Sequence, residues 1–261
     1  MTPHILESNN DIIEAALRTN MERLIIGAAK LGLPLNPGQV EQFHTYYDEL
    51  LVWNRRVNLT RITDYEEVQI KHFLDSLTVT LALKQPIGGE GLRLIDVGAG
   101  AGFPGIPLKI LLPAIKLVLL EATAKKTAFL QHIRHKLGLD NVEIVAGRAE
   151  DIAHEAQYRE KFDIVLSRGV APLPTLAELT LPFCAVGGSF IAQKKGAIDL
   201  EISQAAKAIS LLGGKLREAK RIDLEEFTDE RHLIIIDKVS PTPERYPRRP
   251  GIPKKRPILP G

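Results

Sequence analysis

Cysteine is nearly missing from this sequence: Cys184 stands alone, so no internal disulfide can form and no Cys/His cluster offers zinc ligands. A metal site is therefore not expected. Long apolar runs are missing too. Stretches such as Ile110 to Leu112 and Leu117 to Leu120 are far shorter than the roughly 20 residues that cross a bilayer, so no membrane partner is expected. The N-terminus lacks the basic-then-apolar order of a secretory signal, which places the protein in the cytoplasm. Nor does one sign of charge dominate. With 34 Lys and Arg against 32 Asp and Glu, the net charge of +2 does not mark a polyanion binder, because affinity depends on where the positive charge sits. What remains is a chain of 261 residues, 44% hydrophobic and 25% charged, long enough for a substantial core and without the composition of disorder. A monomer is expected.

Residues 1–90 read as a helical N-terminal region. Patches from Ile12 to Leu31 end at Gly32 and Pro34. Asn36 can cap a helix whose first turn takes Pro37, and Val40, Phe43, Tyr47, Leu50, Leu51 and Asn54 recur at helical spacing to about Arg56. A second helix opens at Thr63 with Glu66 at capping-box spacing, and Val68, Phe73, Leu74 and Leu77 continue its apolar stripe. The segment KQPIGGEG, Lys84 to Gly91, marks a break.

From 91 to 239 short apolar runs alternate with helical patterns, as in LRLIDVG, KLVLLEA, VEIVAG, FDIVLSRG and GGSFIAQKK. This alternation predicts a doubly wound α/β sheet. Two consecutive strands close it, GGKLREAKRIDL and RHLIIIDKV. With no helix between them they must pair antiparallel, as in the methyltransferase sheet, which is parallel with one antiparallel strand, rather than in an all-parallel dinucleotide fold. Residues 240–261 form a basic tail in which Arg245, Arg248, Arg249, Lys254, Lys255 and Arg256 face only Glu244. Seven prolines exclude a helix or an inner strand there. The tail reads either as a solvated, partly disordered segment or as an extended arm that neutralises RNA phosphates.

At the end of the first predicted strand stands DVGAGAGFPG, with Asp96, Gly98, Gly100, Gly102 and Gly105 in a turn that opens a helix. Glycines there let the backbone take positive φ and approach a ligand. The nicotinamide fingerprint would need a small residue where Phe103 stands; an acid followed by alternate glycines is instead the pattern of S-adenosylmethionine sites. The next strand ends in Glu121, at the distance where a carboxylate accepts from ribose hydroxyls, with Ala122 and Thr123 following; the same residue could cap a helix. After the third strand, GRAED places Ala149 and Glu150 where an adenine would be met.

Strand four ends SRGVAPL, with Arg168 at the mouth of the sheet. Its planar fork could pair with a neighbouring carboxylate, or meet the cofactor carboxylate or an RNA phosphate. The Asn/Asp-Pro-Pro-aromatic motif of adenine amine methylation is missing, and Cys184 in LPFC reads as a core thiol in an apolar helical stretch rather than a nucleophile. An acceptor that needs little chemical help remains. The N7 atom of guanine qualifies, since it carries a lone pair and no proton, and alignment alone can then drive transfer without a general base. Asn58 reads as a turn or cap residue. Lys194 and Lys195 follow strand five and face either the substrate or solvent.

Several blocks together give the chain a family resemblance: WNRRVNLT (Trp53 to Thr60), KHFLDSL (Lys71 to Leu77), LIDVGAGAGFPGIPLKI (Leu94 to Ile110), GRAED, SRGVAPL, QKKG (Gln193 to Gly196) and YPRRPGIPKKRP. From roughly Gly38 onward the sequence resembles the glucose-inhibited division protein B family, RsmG, which methylates guanine N7 in small-subunit 16S ribosomal RNA. The resemblance implies that Gly98, Phe103, Glu121, Ala149, Glu150 and Arg168 border the cofactor. It places His72, Asp75 and Ser76 near the acceptor. Arg168, His72 and Asp75 are expected to position that acceptor, and the positive charge of Lys194, Lys195, Arg248, Arg249, Lys254, Lys255 and Arg256 is read as lying on RNA. A small-molecule methyltransferase, a nicotinamide oxidoreductase and a noncatalytic RNA-binding protein with a vestigial pocket are the rivals. Deleting everything after Val239 is expected to abolish RNA modification with cofactor affinity intact.

Overall fold

A computed structural model describes residues 21–83 and 91–260. The helical patch before Met21 and the break at 84–90 lie outside them. Helix α1 (Glu22–Lys30) is followed by α2 (Pro37–Val57), whose start is chemically explicit: Asn36 Oδ1 accepts from Gln39 N while Gln39 Oε1 accepts from Asn36 N. Both ends of this reciprocal pair satisfy backbone donors that a helix N-terminus would otherwise leave bare. Asn58 ends α2 with a left-handed φ of 46°, the cap role read from the sequence. The second helix starts one residue later than expected. Asp64, not Thr63, is the cap, accepting from Glu67 N, because its carboxylate reaches the third helical amide directly. From there α3 (Tyr65–Val68) runs into a π-helical stretch (Gln69–Leu74), α4 (Asp75–Leu77) and a 3-10 turn (Thr78–Ala82). The wide turn falls where functional side chains gather, as π turns often do.

The sheet has seven strands in the order β3-β2-β1-β4-β5-β7-β6. They are β1 (Arg93–Val97), β2 (Lys116–Glu121), β3 (Val142–Ala146), β4 (Phe162–Arg168), β5 (Cys184–Lys195), β6 (Gly214–Ile222) and β7 (Arg231–Lys238). β1 to β5 pair in parallel, and β7 lies antiparallel between β5 and β6. The alternation of Leu117, Val118, Leu119 and Leu120 sends side chains to two cores, as the period of a strand requires. One core is closed by α1, α2, α5 (Gly105–Leu111) and α6 (Ala124–Lys136); the other by α7 (Ala149–Ile152), α8 (Leu173–Thr180) and α9 (Asp199–Leu211). The N-terminal helices thus share a core with the sheet. Tyr46, absent from the predicted stripe, is fully buried and donates to Ala101 O at 2.5 Å, fastening α2 to the glycine turn.

Two sequence expectations are corrected here. Cys184 is not helical: it opens β5, paired with Phe162, although it is buried as expected and its thiol is pushed up to about 12 by burial. The chain after Val239 is neither loose nor free of helix. Arg159 donates to Tyr246 O at 2.9 Å and Thr242 O at 2.9 Å, Tyr246 is buried, and residues 252–255 form one helical turn, α10 (Ile252–Lys255). Proline suits that first turn, where its missing N–H costs nothing.

Candidate functional site

The C-terminal ends of β1, β2 and β4 open on a cavity of about 550 Å³, the size range of small-molecule sites. Its floor is the turn after β1. Gly100 sits there at φ +61° with nothing but Gly98 O, at 3.8 Å, near the position a Cβ would take, so its missing side chain leaves cavity space. Gly102 is different: a Cβ would strike Ile106 at 2.4 Å and Tyr46 at 2.8 Å, and the residue does not line the cavity. Packing, not a ligand, requires that glycine. Glu121 at the end of β2 holds the turn in shape, its two oxygens accepting from Gly100 N at 3.0 Å and Thr123 N at 2.8 Å. Gly98, Phe103, Ala122, Ala149, Glu150 and Arg168 also face the cavity.

Asp96 and Thr123, expected at the cofactor, do not line it. Asp96 is fully buried beneath the turn and accepts from Gly105 N at 2.9 Å, while its other oxygen has no partner among the described residues. Burial pushes its carboxyl up to about 7, against the pull of the Gly105 N–H and the Arg168 charge. Its work is to seat the first amide of α5. Thr123 acts through its backbone N–H, at the head of α6.

Facing the turn is the helical segment 65–82. His72 and Arg168 line the cavity; Asp75 lies behind them, 3% exposed. Arg168 donates to Asp75 Oδ2 at 2.9 Å, and Arg231 stands 2.9 Å from Oδ1, so one buried carboxylate takes two guanidinium groups. Ser76 is spent within its own helix, donating to His72 O at 2.5 Å, and is fully buried. The His72 ring stacks on Phe103 at 4.5 Å and 15°, with the Arg168 guanidinium 4.9 Å from the Phe103 ring. Burial, with the charges of Arg168 and Lys195, pulls the His72 pKa down to about 3. The imidazole is neutral.

The C-terminal arm closes another wall. Gly251 N donates to Glu150 Oε1 at 2.9 Å, and Gly251 and Lys254 both line the cavity. Arg248 is engaged within the protein. Its side chain makes two bonds, at 2.9 and 2.7 Å, to Glu178, which is completely buried. Lys194 is similarly occupied, donating to Glu201 at 2.6 Å and Ala171 O at 2.8 Å. Lys195 is half exposed beside Asp229. Arg249, Lys254, Lys255 and Arg256 are exposed, with no ion-pair partner among the described residues. Sequence reasoning missed Thr60, Lys126 and Arg148 on the cavity wall, since a single polar residue, whether in a loop like Thr60 or in the first turn of a helix like Lys126, carries no periodic signal.

Residues 39–234 match the family model described as GidB, rRNA small subunit methyltransferase G. The chain is 54% identical over 239 residues to Ribosomal RNA small subunit methyltransferase G of Dehalococcoides mccartyi strain CBDB1, covering 92% of this chain and 100% of that protein. It is 48% identical over 239 residues to the protein of the same name from Roseiflexus castenholzii, covering 92% of this chain and 100% of that one. Among solved structures, a putative O-methyltransferase from Klebsiella pneumoniae is similar with a TM-score of 0.51 at 18% identity, covering 81% of this chain and 94% of that one, which bears on the fold alone. With a family model spanning most of its length and relatives at about half identity, this chain belongs to the GidB family, rRNA small subunit methyltransferase G.

Proposed function

We propose that this protein transfers a methyl group from S-adenosylmethionine to N7 of a guanine in 16S ribosomal RNA, in the cytoplasm where the small subunit resides. The observation that carries the reading is a cavity with a cofactor-like floor whose histidine, His72, has both ring nitrogens engaged. Gly100 leaves space above a turn held by Glu121, and Glu150 and Ala149 stand at the far side, an arrangement that fits a nucleoside with an amino-acid tail. When bound, the donor supplies an electrophilic methyl on a sulfonium.

The protein's own part is alignment. Glu121 and Glu150 are engaged by backbone N–H groups, and both ring nitrogens of His72 have partners in Thr60 and Arg168. Cys184 lies in the core, its thiol held protonated. Guanine N7 has no proton to lose, so it asks none of these engaged groups to act as a base. Orientation by Phe103, His72 and Thr60 then carries the rate, a contribution worth several kcal/mol in well-aligned reactions. The exposed Arg249, Lys254, Lys255 and Arg256 favour RNA over a small acceptor.

The test is nucleoside mass spectrometry. Purified protein and S-adenosylmethionine are incubated with small subunits from cells lacking the gene, and 7-methylguanosine should appear close to one per subunit. A different methylated nucleoside, or none, removes the reading; calorimetry with S-adenosylmethionine against NAD checks the cofactor separately.

A further inference from the structure

Asn54 grips Thr60 by both backbone groups. Its Nδ2 donates to Thr60 O at 3.0 Å, and Thr60 N donates to its Oδ1 at 2.9 Å. Asn54 was expected on the apolar stripe of α2, but its amide instead folds the chain back after Asn58 and sets Thr60 on the cavity wall. The Thr60 hydroxyl oxygen is then met twice: Ile62 N donates at 3.0 Å, and His72 Nε2 lies 2.7 Å away.

The other ring nitrogen decides the direction of that second bond. Arg168 Nη2 stands 3.2 Å from His72 Nδ1, and a guanidinium has only protons to offer. Nδ1 therefore carries the lone pair and Nε2 the proton, so His72 donates to Thr60. A hydroxyl has two lone pairs and one proton. Both lone pairs of Thr60 are taken, and its proton has no partner among the described residues.

From this geometry we infer that Thr60 is a donor-only contact that reads O6 of the acceptor guanine and thereby selects guanine over adenine. The inference rests on the guanine-N7 reading above. On the edge that carries N7, guanine presents N7 and O6, both acceptors, whereas adenine presents N7 beside an N6 amine, a donor. A freely rotating hydroxyl could accept from that amine. Thr60 cannot, because Ile62 and His72 fill its acceptor sites, so adenine would set donor against donor and leave both unpaired. Arg168, His72 and Thr60 form one chain of bonds pointing the same way, each polarising the next. His72 is the positioning residue in it.

Small subunits lacking the modification, methylated by wild type, Thr60→Val and Thr60→Ser, provide the test. Thr60→Val should lower kcat/KM about tenfold or more, the usual cost of a lost polar contact in a buried site, whereas Thr60→Ser should stay within about threefold. S-adenosylmethionine affinity by calorimetry should hold within about twofold in both. A second readout isolates the O6 contact: guanosine monophosphate should inhibit wild type at roughly tenfold lower concentration than 2-aminopurine riboside monophosphate, which lacks O6, and the two should become equal in Thr60→Val. Full activity in Thr60→Val, an equal loss of donor affinity, an unchanged inhibitor ratio, or no inhibition by either nucleotide overturns the inference. Identity of the methylated nucleoside is scored independently, so a product other than 7-methylguanosine overturns the guanine-N7 reading itself.

Discussion

His72 and Asp96 both feel the charge of Arg168, and burial moves their ionisation in opposite directions. His72, lowered from 6.5 to about 3, stays neutral when the unfolded chain is protonated, so its contribution to stability is lost as pH falls from 6.5 toward 3. Asp96, raised from 3.8 to about 7, stays protonated when the unfolded chain is ionised, so its contribution is lost as pH rises from 3.8 through 7. Across mildly acidic pH the two gradients oppose one another. Substituting either one should unmask the other. Relative to wild type, Asp96→Asn should gain stability as pH rises from 3.8 to 7, and His72→Gln should gain it on acidification below 6.5, each approaching about tenfold in the folding equilibrium per pH unit. Urea titrations at a series of pH values measure both, and pH-independent differences would refute the assignment. At the cavity itself, Glu121→Ala removes the acceptor of Gly100 N and Thr123 N; calorimetry should show S-adenosylmethionine binding weakened about tenfold or more.

The C-terminal arm changes an expectation at the scale of elements. Its composition suggested a separable RNA arm, yet Arg248 neutralises a buried carboxylate and Gly251 joins the cavity wall. Truncation after Val239 should therefore weaken cofactor binding as well as RNA modification. Arg248→Ala alone strands Glu178 without its cation and should cost about 3–5 kcal/mol in urea unfolding, whereas Glu178→Met combined with Arg248→Met should recover most of it. Replacing Lys254, Lys255 and Arg256 with Ser tests the exposed part. If those three touch phosphates of single-stranded RNA, the slope of log affinity against log salt should flatten by about 2. An unchanged slope would place RNA on another face.

Legibility also varied by element, for physical reasons. The doubly wound sheet was plain because each of the parallel strands carries its own apolar run, and the antiparallel β7 followed from two strands without an intervening helix. The cap of α2 was legible because Asn36 and Pro37 act locally. What escaped depends on contacts distant in sequence. Nothing in GRAED announces that Glu150 will accept from Gly251, 101 residues on. Likewise Asp75 was readable as polar but not as the shared partner of Arg168 and Arg231, which lie on β4 and β7, two strands separated by β5 and brought to one carboxylate only when the sheet is assembled.

For the whole molecule, one core joins the N-terminal helices to the sheet, with Tyr46, Phe73, Phe103 and Phe129 at the junction. Trp53, the only tryptophan, sits on α2 against Phe129 of α6. Its fluorescence should therefore lose its native signal at the same denaturant concentration as the circular dichroism of the sheet. Two separated midpoints would mean that the helical layer melts by itself.

The bond from Gly251 to Glu150 carries a consequence for synthesis. A polypeptide emerges from its N-terminus, so the strands and the glycine turn leave the exit tunnel first, and the pocket gains its last wall only when the residues around 254 have followed. A nascent chain still tethered short of that point should not retain the methyl donor, and stalled chains of graded length would show where competence begins. Competence to bind the donor should thereby follow the emergence of the segment around Gly251 rather than that of the glycine turn.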